Sequence, residues 1–371
     1  MHNTATARVD LSALVDNLAV VRGLCPRSRV MAMVKADGYG HGLIPVAKTL
    51  SRADGLGVAR LQEALALRDA GITQRILLVA TLLSMGDLAV CSEQNIDVTA
   101  HDRTSVSAIA AAAHHPLRVW LELDSGMHRV GLDPQAFVEA DRLLARIPGI
   151  SEITHMTHFS SADEPGGQVL EGQLQCFSEC HRRNPKVKAS LANSAALISR
   201  PDTHADWVRP GIMLYGGNPL RTHQVPLRPV MTLTARIIAL RALGVEEPVG
   251  YNRRWYTARH SRIATLGIGY GDGYPRHAAN GTPVWINGCL APLIGRVSMD
   301  SLAVDVTDCG PVAVGDEAVL WGGRTARNAG RRACPDDQLR TIRRPGAVGE
   351  PRIRQRATNA VGRPAGDGVT R

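Results

Sequence analysis

Four residues with chemical potential stand where an apolar strand-like run ends. Lys35 closes Val-Met-Ala-Met-Val-Lys, Arg129 follows Leu-Asp-Ser-Gly-Met-His, His158 closes Ile-Thr-His-Met-Thr-His, and Arg209 sits in Trp-Val-Arg-Pro-Gly-Ile. A lysine after five apolar residues either snorkels to water or is used. An isolated one reads first as a strand end facing solvent. Lys35, however, is followed by Ala-Asp-Gly-Tyr-Gly-His-Gly, with three glycines in five residues that let the backbone approach a ligand closely. A desolvated lysine has a lowered pKa, which Schiff-base chemistry with a carbonyl compound requires. Other readings are blander. Asn193-Ser194 suits an ordinary helix cap, and Arg209 could pair with Asp206 or Asp202. Cys176 with Cys180, or His155 with His158, could each be half a zinc site, but no complete four-ligand spacing follows.

The order of elements can place these groups together. Strand-like segments lie at Val30–Lys35, Gly55–Ala59, Arg75–Ala80, Asp97–Thr99, Leu117–Leu123, Ile153–His158, Lys188–Ala192 and Trp207–Leu214, separated by amphipathic stretches such as Gln62–Ala70, Arg103–Ala113, Pro134–Ala145 and Gly172–Arg182. That alternation predicts an α/β fold, a parallel (β/α)8 TIM-like barrel over residues 1–228, whose active groups stand at the C-terminal ends of the strands. From 229 to 322 the pattern turns to strands without long helices: Val230–Ala239, Ser261–Gly269, Thr282–Ile286, Ala291–Val297, Leu302–Val306 and Glu317–Leu320. This predicts a mainly β second domain.

Charge adds a third boundary. The net +9 is concentrated in residues 323–371, which hold twelve Arg, no Lys and four acids; the preceding residues carry 31 basic and 30 acidic groups. The body is nearly neutral, which argues against a nucleic-acid partner. The tail lacks aromatic residues and reads as disordered or out of frame. No run of 18 apolar residues predicts a membrane span, and no leader pattern is visible. Seven scattered cysteines fit a reducing compartment better than a disulfide framework. The expected location is therefore cytoplasmic.

Taken in order, the motifs resemble alanine racemase, a pyridoxal-phosphate enzyme of the barrel type. The resemblance runs through Lys35-Ala-Asp-Gly-Tyr39-Gly-His-Gly, Gly57-Val-Ala-Arg-Leu-Gln-Glu-Ala, Leu123-Asp-Ser-Gly-Met-His-Arg129, His158-Phe-Ser-Ser-Ala-Asp-Glu, Ala192-Asn-Ser194-Ala, Arg209-Pro-Gly-Ile-Met-Leu-Tyr-Gly, Gly269-Tyr270-Gly-Asp-Gly-Tyr-Pro-Arg and Gly295-Arg-Val-Ser-Met299-Asp300, covering about residues 5–322. It implies interconversion of L- and D-alanine with pyridoxal 5'-phosphate, in a homodimer with shared sites, to supply D-alanine for peptidoglycan. Lys35 would hold the cofactor and act as one base; Tyr270, from the partner subunit, would be the other. A free tyrosine titrates near ~10, so neighbouring cations must lower it. His158 would bond this tyrosine and in turn be bonded by Arg209, which would also face the pyridine nitrogen and keep it unprotonated. Arg129 would hold the substrate carboxylate. Glu122 stands where many members carry a carbamylated lysine that orients this arginine, so it is expected to do so without carbon dioxide. Tyr39, Ser194 and the backbone around Asn193, Gly211 and Ile212 would bind the phosphate, and the Met299 N–H the substrate carboxylate. Asp300 is expected to be structural.

Alternatives are an inactive pyridoxal-phosphate-binding protein, which the second domain argues against, a racemase for another small amino acid, and a barrel-type decarboxylase or aldolase. Decarboxylases of this type tend to place glutamate opposite the pyridine nitrogen, so Arg209 argues against that class. The resemblance stops at the tail, where a Ser-Tyr-Glu motif whose tyrosine binds the phosphate is missing. Codons can be written for Pro335–Arg344 that, read one base later, encode Arg-Thr-Ile-Ser-Tyr-Glu. The expectation is a one-base frameshift near Gly322–Gly323, and weak cofactor retention with low or absent activity if the chain is made as written.

Overall fold

Short apolar runs with amphipathic stretches between them can bury both sheet faces only by pairing in parallel under a coat of helices. A computed structural model, which describes residues 4–79, 81–112, 116–164, 166–220 and 223–323, has this arrangement. After β1 (Ala5–Val9), eight parallel strands close a barrel: β2 (Arg29–Met33), β3 (Gly55–Val58), β4 (Arg75–Leu78), β5 (Ile96–Ala100), β6 (Leu117–Leu123), β7 (Ile150–Thr157), β8 (Lys188–Ser190) and β9 (Trp207–Val208). The last strand returns to the first through Arg29↔Trp207 and Val30↔Val208, so no edge is left unpaired. The outer helices form as their residues dictate. In Pro134–Leu144, Asp133 caps the first turn by accepting the Ala136 N–H at 2.9 Å, and Ala136, Phe137, Ala140, Asp141 and Leu144 form one buried stripe.

The barrel is plugged at one end. Met31, Met33, Leu77, Trp120, Met156 and Trp207 fill its interior. A side chain at Gly57 would collide with the Met33 thioether, so glycine there makes room for the methionine. At the N-terminal mouth Asp97 pairs with Arg75 and with Arg118 at 2.6 Å and accepts the Trp120 Nε1–H at 2.8 Å, while Glu152 joins Arg75 to Lys188. Chemistry is thereby left to the opposite, C-terminal end.

The second domain is an antiparallel sheet in the order β1-β10-β13-β16-β15-β14-β17, with β10 (Met231–Leu243), β13 (Ser261–Leu266), β14 (Pro283–Ile286), β15 (Cys289–Ile294), β16 (Leu302–Asp305) and β17 (Glu317–Trp321). β17 also pairs with β10, and β11 (Pro248–Val249) with β12 (Trp255–Tyr256) forms a small ribbon.

Three expectations are corrected. Residues 5–9, assigned to the barrel domain, form β1 and pair with β10 from Ala5↔Ala235 to Val9↔Met231, so both ends of the described chain build the second sheet. Such a pairing spans more than 200 positions and leaves no local signal. The run Trp207–Leu214 is a strand only at Trp207–Val208; Pro210 has no N–H for a ladder, and Ile212–Tyr215 is a 3-10 turn. Cys289 and Cys309 are joined in a disulfide, because the β15–β16 pairing brings their Cα atoms to 5.6 Å. The readings of the tail fall on residues 324–371, outside the described residues.

Candidate active site

A cavity of about 600 Å³ opens at the C-terminal end of the barrel strands. Lys35, Tyr39, Glu122, Arg129, His158, Asn193, Ser194, Arg209, Gly211 and Ile212 all line it, although they come from six separate regions of sequence. Lys35 is two residues beyond β2, and the backbone then takes an unusual course. Ala36, Asp37, Gly38 and Tyr39 have φ of 54°, 55°, 62° and 54°, a left-handed turn of four successive residues, three of them not glycine. For an L-residue this conformation costs roughly 1–2 kcal/mol each, so the surroundings must enforce it. The turn brings the Tyr39 ring onto Tyr215, centroids 4.7 Å apart, and the Tyr215 hydroxyl donates to the Met33 carbonyl at 3.0 Å.

Arg209, 5% exposed, is the most constrained cation of the site. Its two terminal nitrogens donate to the Ser190 carbonyl (2.9 Å) and hydroxyl (2.6 Å) and to the Thr157 carbonyl (2.6 Å). Asp202 instead pairs with Arg200, and Asp206 accepts the Ala189 N–H, so neither takes the role of its partner. Burial brings its pKa down to about 10, with Glu122 opposing and Arg129 adding to the fall; it stays cationic at neutral pH. The same guanidinium lies 3.5 Å from His158 Nδ1. Arginine can only donate, so Nδ1 accepts and the neutral ring carries its proton on Nε2. Burial, then Arg209, Arg129 and Lys35, push His158 to about 3 and keep it neutral.

Glu122, also buried, has its pKa raised by desolvation, against the pull of Arg209 first, then Arg129, His101 and Lys35. Both Arg209 and Arg129 thus act on its carboxylate as opposite charges. The loop bearing Arg129 is tied by Asp124, whose Oδ1 accepts the Gly126 and His128 N–H groups at 3.0 Å.

The remaining barrel residues form a cradle. Asn193 caps the helix Ser194–Ser199 by accepting the Ala196 N–H at 3.1 Å, as the bland reading of Asn-Ser had it. Ser194 is different: its oxygen accepts the N–H of Gly211 at 2.9 Å and of Met213 at 3.5 Å, which leaves its own O–H to donate. A side chain at Gly211 would collide with the Tyr39 hydroxyl, so two hydroxyls and a bare backbone meet at one point. Hydroxyls, a glycine turn and cationic side chains suit a phosphorylated aromatic aldehyde, with Lys35 in the same cavity to receive the carbonyl.

Tyr270, Met299 and Asp300 are not among the residues lining this cavity. They form their own cluster in the second domain: Tyr270 N–H donates to the Ser298 carbonyl at 3.0 Å, Gly271 N–H to the Met299 carbonyl at 2.8 Å, and the Arg276 guanidinium stacks 5.1 Å over the Tyr270 ring. Met299 is 54% exposed and Asp300 is exposed as well. Sequence reasoning missed Met33, Met156, Ser160 and Asp163, which also line the cavity. The first two lie two residues before Lys35 and His158, and the period of two in a strand would have placed them inside the barrel. The other candidate histidine, His155, points elsewhere: its Nε2 meets Asp141 at 3.0 Å and its Nδ1 meets His181 Nδ1 at 2.9 Å.

Residues 9–219 match the family model for the alanine racemase N-terminal domain, and 230–341 that for the C-terminal domain. An alanine racemase from Shewanella woodyi is 44% identical over 323 residues, which is 85% of this chain and 89% of the relative. The biosynthetic alanine racemase of Pseudomonas aeruginosa superposes with a TM-score of 0.86 at 40% identity, over 92% of this chain and 97% of the other. The Bartonella henselae enzyme, solved with covalently bound pyridoxal phosphate, gives 0.82 at 27% identity, over 92% and 98%. With both family models matched in order and the barrel residues of the motifs converging on one cavity, this chain belongs to the alanine racemase family.

Proposed function

We propose that the chain racemises alanine by a two-base mechanism, with pyridoxal phosphate held by Lys35 and with Tyr270 of the partner subunit completing the site. The observation that carries the reading is the meeting of Lys35, Arg209 and the Tyr39–Ser194–Gly211 cradle in one cavity. When bound, the cofactor supplies an electron sink that acidifies the Cα–H of the amino acid it carries.

The chain's own residues do the rest. Ser194 and Tyr39 would donate O–H hydrogen bonds to the phosphate. Arg209 remains a donor and cannot accept a proton, so a pyridine nitrogen set against it would stay unprotonated. That limits charge spread into the ring and favours proton return to Cα. Arg129 binds the substrate carboxylate, and the Glu122 carboxylate balances the guanidiniums. The Nε2–H of His158 would donate to the phenolic oxygen of Tyr270 of the partner subunit and stabilise it as a base. Racemisation needs one base on each face of Cα; Lys35 and Tyr270 of the partner subunit take those places, and Met299 offers its N–H to the carboxylate from the same side as that tyrosine.

The test is racemisation of L-alanine in D2O by the cofactor-loaded protein. Wild type should exchange the Cα hydrogen of both enantiomers. Lys35→Ala should abolish borohydride trapping of the cofactor and racemisation. Tyr270→Phe should bind the cofactor but exchange one enantiomer only; exchange of both would remove the second base from the mechanism.

A further inference from the structure

We infer that His41 is a positioning residue whose ring N–H locks the left-handed turn joining Lys35 to Tyr39. The turn is costly despite its own backbone hydrogen bonds, because three of its four residues carry side chains that disfavour positive φ. His41 stands two residues beyond it, after Gly40, is 3% exposed, and is not among the residues lining the cavity. Its Nδ1 approaches two carbonyls of the turn, Gly38 at 3.1 Å and Tyr39 at 2.8 Å. Carbonyls only accept, so Nδ1 carries the proton and bridges both. Burial takes the imidazole to about 4, so it stays neutral at physiological pH.

The ring also packs 4.7 Å from that of Tyr215, which in turn stacks on the Tyr39 ring. Tyr39 is therefore held at its carbonyl by His41 and at its ring by Tyr215, with its hydroxyl aimed at Gly211. From the other side Glu63 accepts the Asp37 N–H at 3.2 Å, and Asp37 accepts the Leu43 N–H at 2.7 Å. These clamp the start and the exit of the turn, whereas the His41 side chain grips its last two carbonyls.

The consequence for the cofactor rests on the function proposed above; the lock itself does not. The full-length chain should be compared with His41→Leu, which removes the donor, His41→Asn, whose amide N–H reaches the place of Nδ1, and His41→Gln, whose amide reaches beyond it. Amide hydrogen exchange over residues 36–43 is read without cofactor, and pyridoxal-phosphate affinity and the absorbance of the lysine-linked cofactor are read with it. Leu and Gln should raise exchange in this segment by about tenfold or more and weaken cofactor binding by about tenfold, with kcat falling more than KM changes. Asn should restore both to within about threefold of wild type.

Wild-type exchange in both the Leu and Gln proteins would overturn the lock, as would an Asn protein as loose as Gln. If Leu fails to fold, the Asn and Gln pair still decides. A wild-type chain that never links the cofactor to Lys35 would sink the proposed function, while the exchange arm would still judge His41.

Discussion

Replacing Arg209 with lysine keeps a positive charge and removes the geometry, which makes it a sharp test of why an arginine is there. The guanidinium serves two places at once, Ser190 through one nitrogen and Thr157 through the other, at 2.6–2.9 Å. A lysine replaces the fixed two-nitrogen fork with a single, differently placed nitrogen, and each charge-assisted hydrogen bond it fails to reproduce is worth about 1.5–3 kcal/mol. The stronger consequence is on titration. Burial takes Arg209 to about 10, at least ~2 below an arginine in water, and the same penalty on a lysine starting near ~10.4 would leave it near ~8.

The wild-type arginine therefore stays charged through the assay range, whereas the introduced lysine gives up its proton as pH rises through about 8. Once neutral it can accept a proton, and the constraint on the ring nitrogen is gone. The assay is D-alanine formation between pH 6.5 and 9.5, with pyruvate measured as the transamination product. Arg209→Lys should show a new decline near pH ~8, a kcat about tenfold or more below wild type, and more pyruvate per turnover. A variant with wild-type kcat, an unchanged pH profile and no added pyruvate would refute the argument that the fixed guanidinium controls the cofactor.

Gly211→Ala pushes a methyl into the Tyr39 hydroxyl and should weaken pyridoxal-phosphate binding about tenfold or more, roughly 1.4 kcal/mol, with little change in melting temperature; an unaltered titration curve would show that the cradle tolerates it. Asp141 is held below 3.8, burial opposing and the hydrogen bonds from His155 and Asn184 prevailing. A depressed carboxylate contributes stability that is present above its unfolded value and lost as pH falls through the lower folded one. Asp141→Asn should thus lower the unfolding free energy at pH 7 by about 1–2 kcal/mol, with the gap to wild type narrowing as pH falls below the usual carboxylate range; a gap that stays constant through acid would assign the loss to packing. Replacing residues after Gly322 with the one-base-shifted reading should restore a phosphate-binding hydroxyl, tighten the cofactor by about tenfold, and improve rescue of a D-alanine auxotroph. Equal rescue by both forms would make the tail irrelevant.

Much of the barrel is visible in the sequence because its strands are buried on both faces and read as apolar runs. Lys35, Arg129, His158 and Arg209 end or follow such runs, and the geometry of parallel strands sends those ends to one mouth. The Gly-rich stretch after Lys35 foretells a close backbone approach but not its hand. That the turn is left-handed, and that His41 and Tyr215 brace it, depends on contacts between Tyr39 and a residue 176 positions away, as the stacked pair shows. Asn193 and Ser194 are neighbours of similar polarity, yet only the fold makes one a helix cap and the other a donor into the cavity.

Local pattern determined which segments are strands, which residues end them, and which family those motifs resemble. The tertiary structure decided what non-local pairing alone can decide. It sent β1 into the second sheet, brought Cys289 to Cys309, and set Glu122 among Arg209, Arg129, His101 and Lys35. Alternation and turn chemistry act over a few residues and are written in order along the chain. Burial, charge balance and the protonation of His158 come from residues that meet only after the barrel closes.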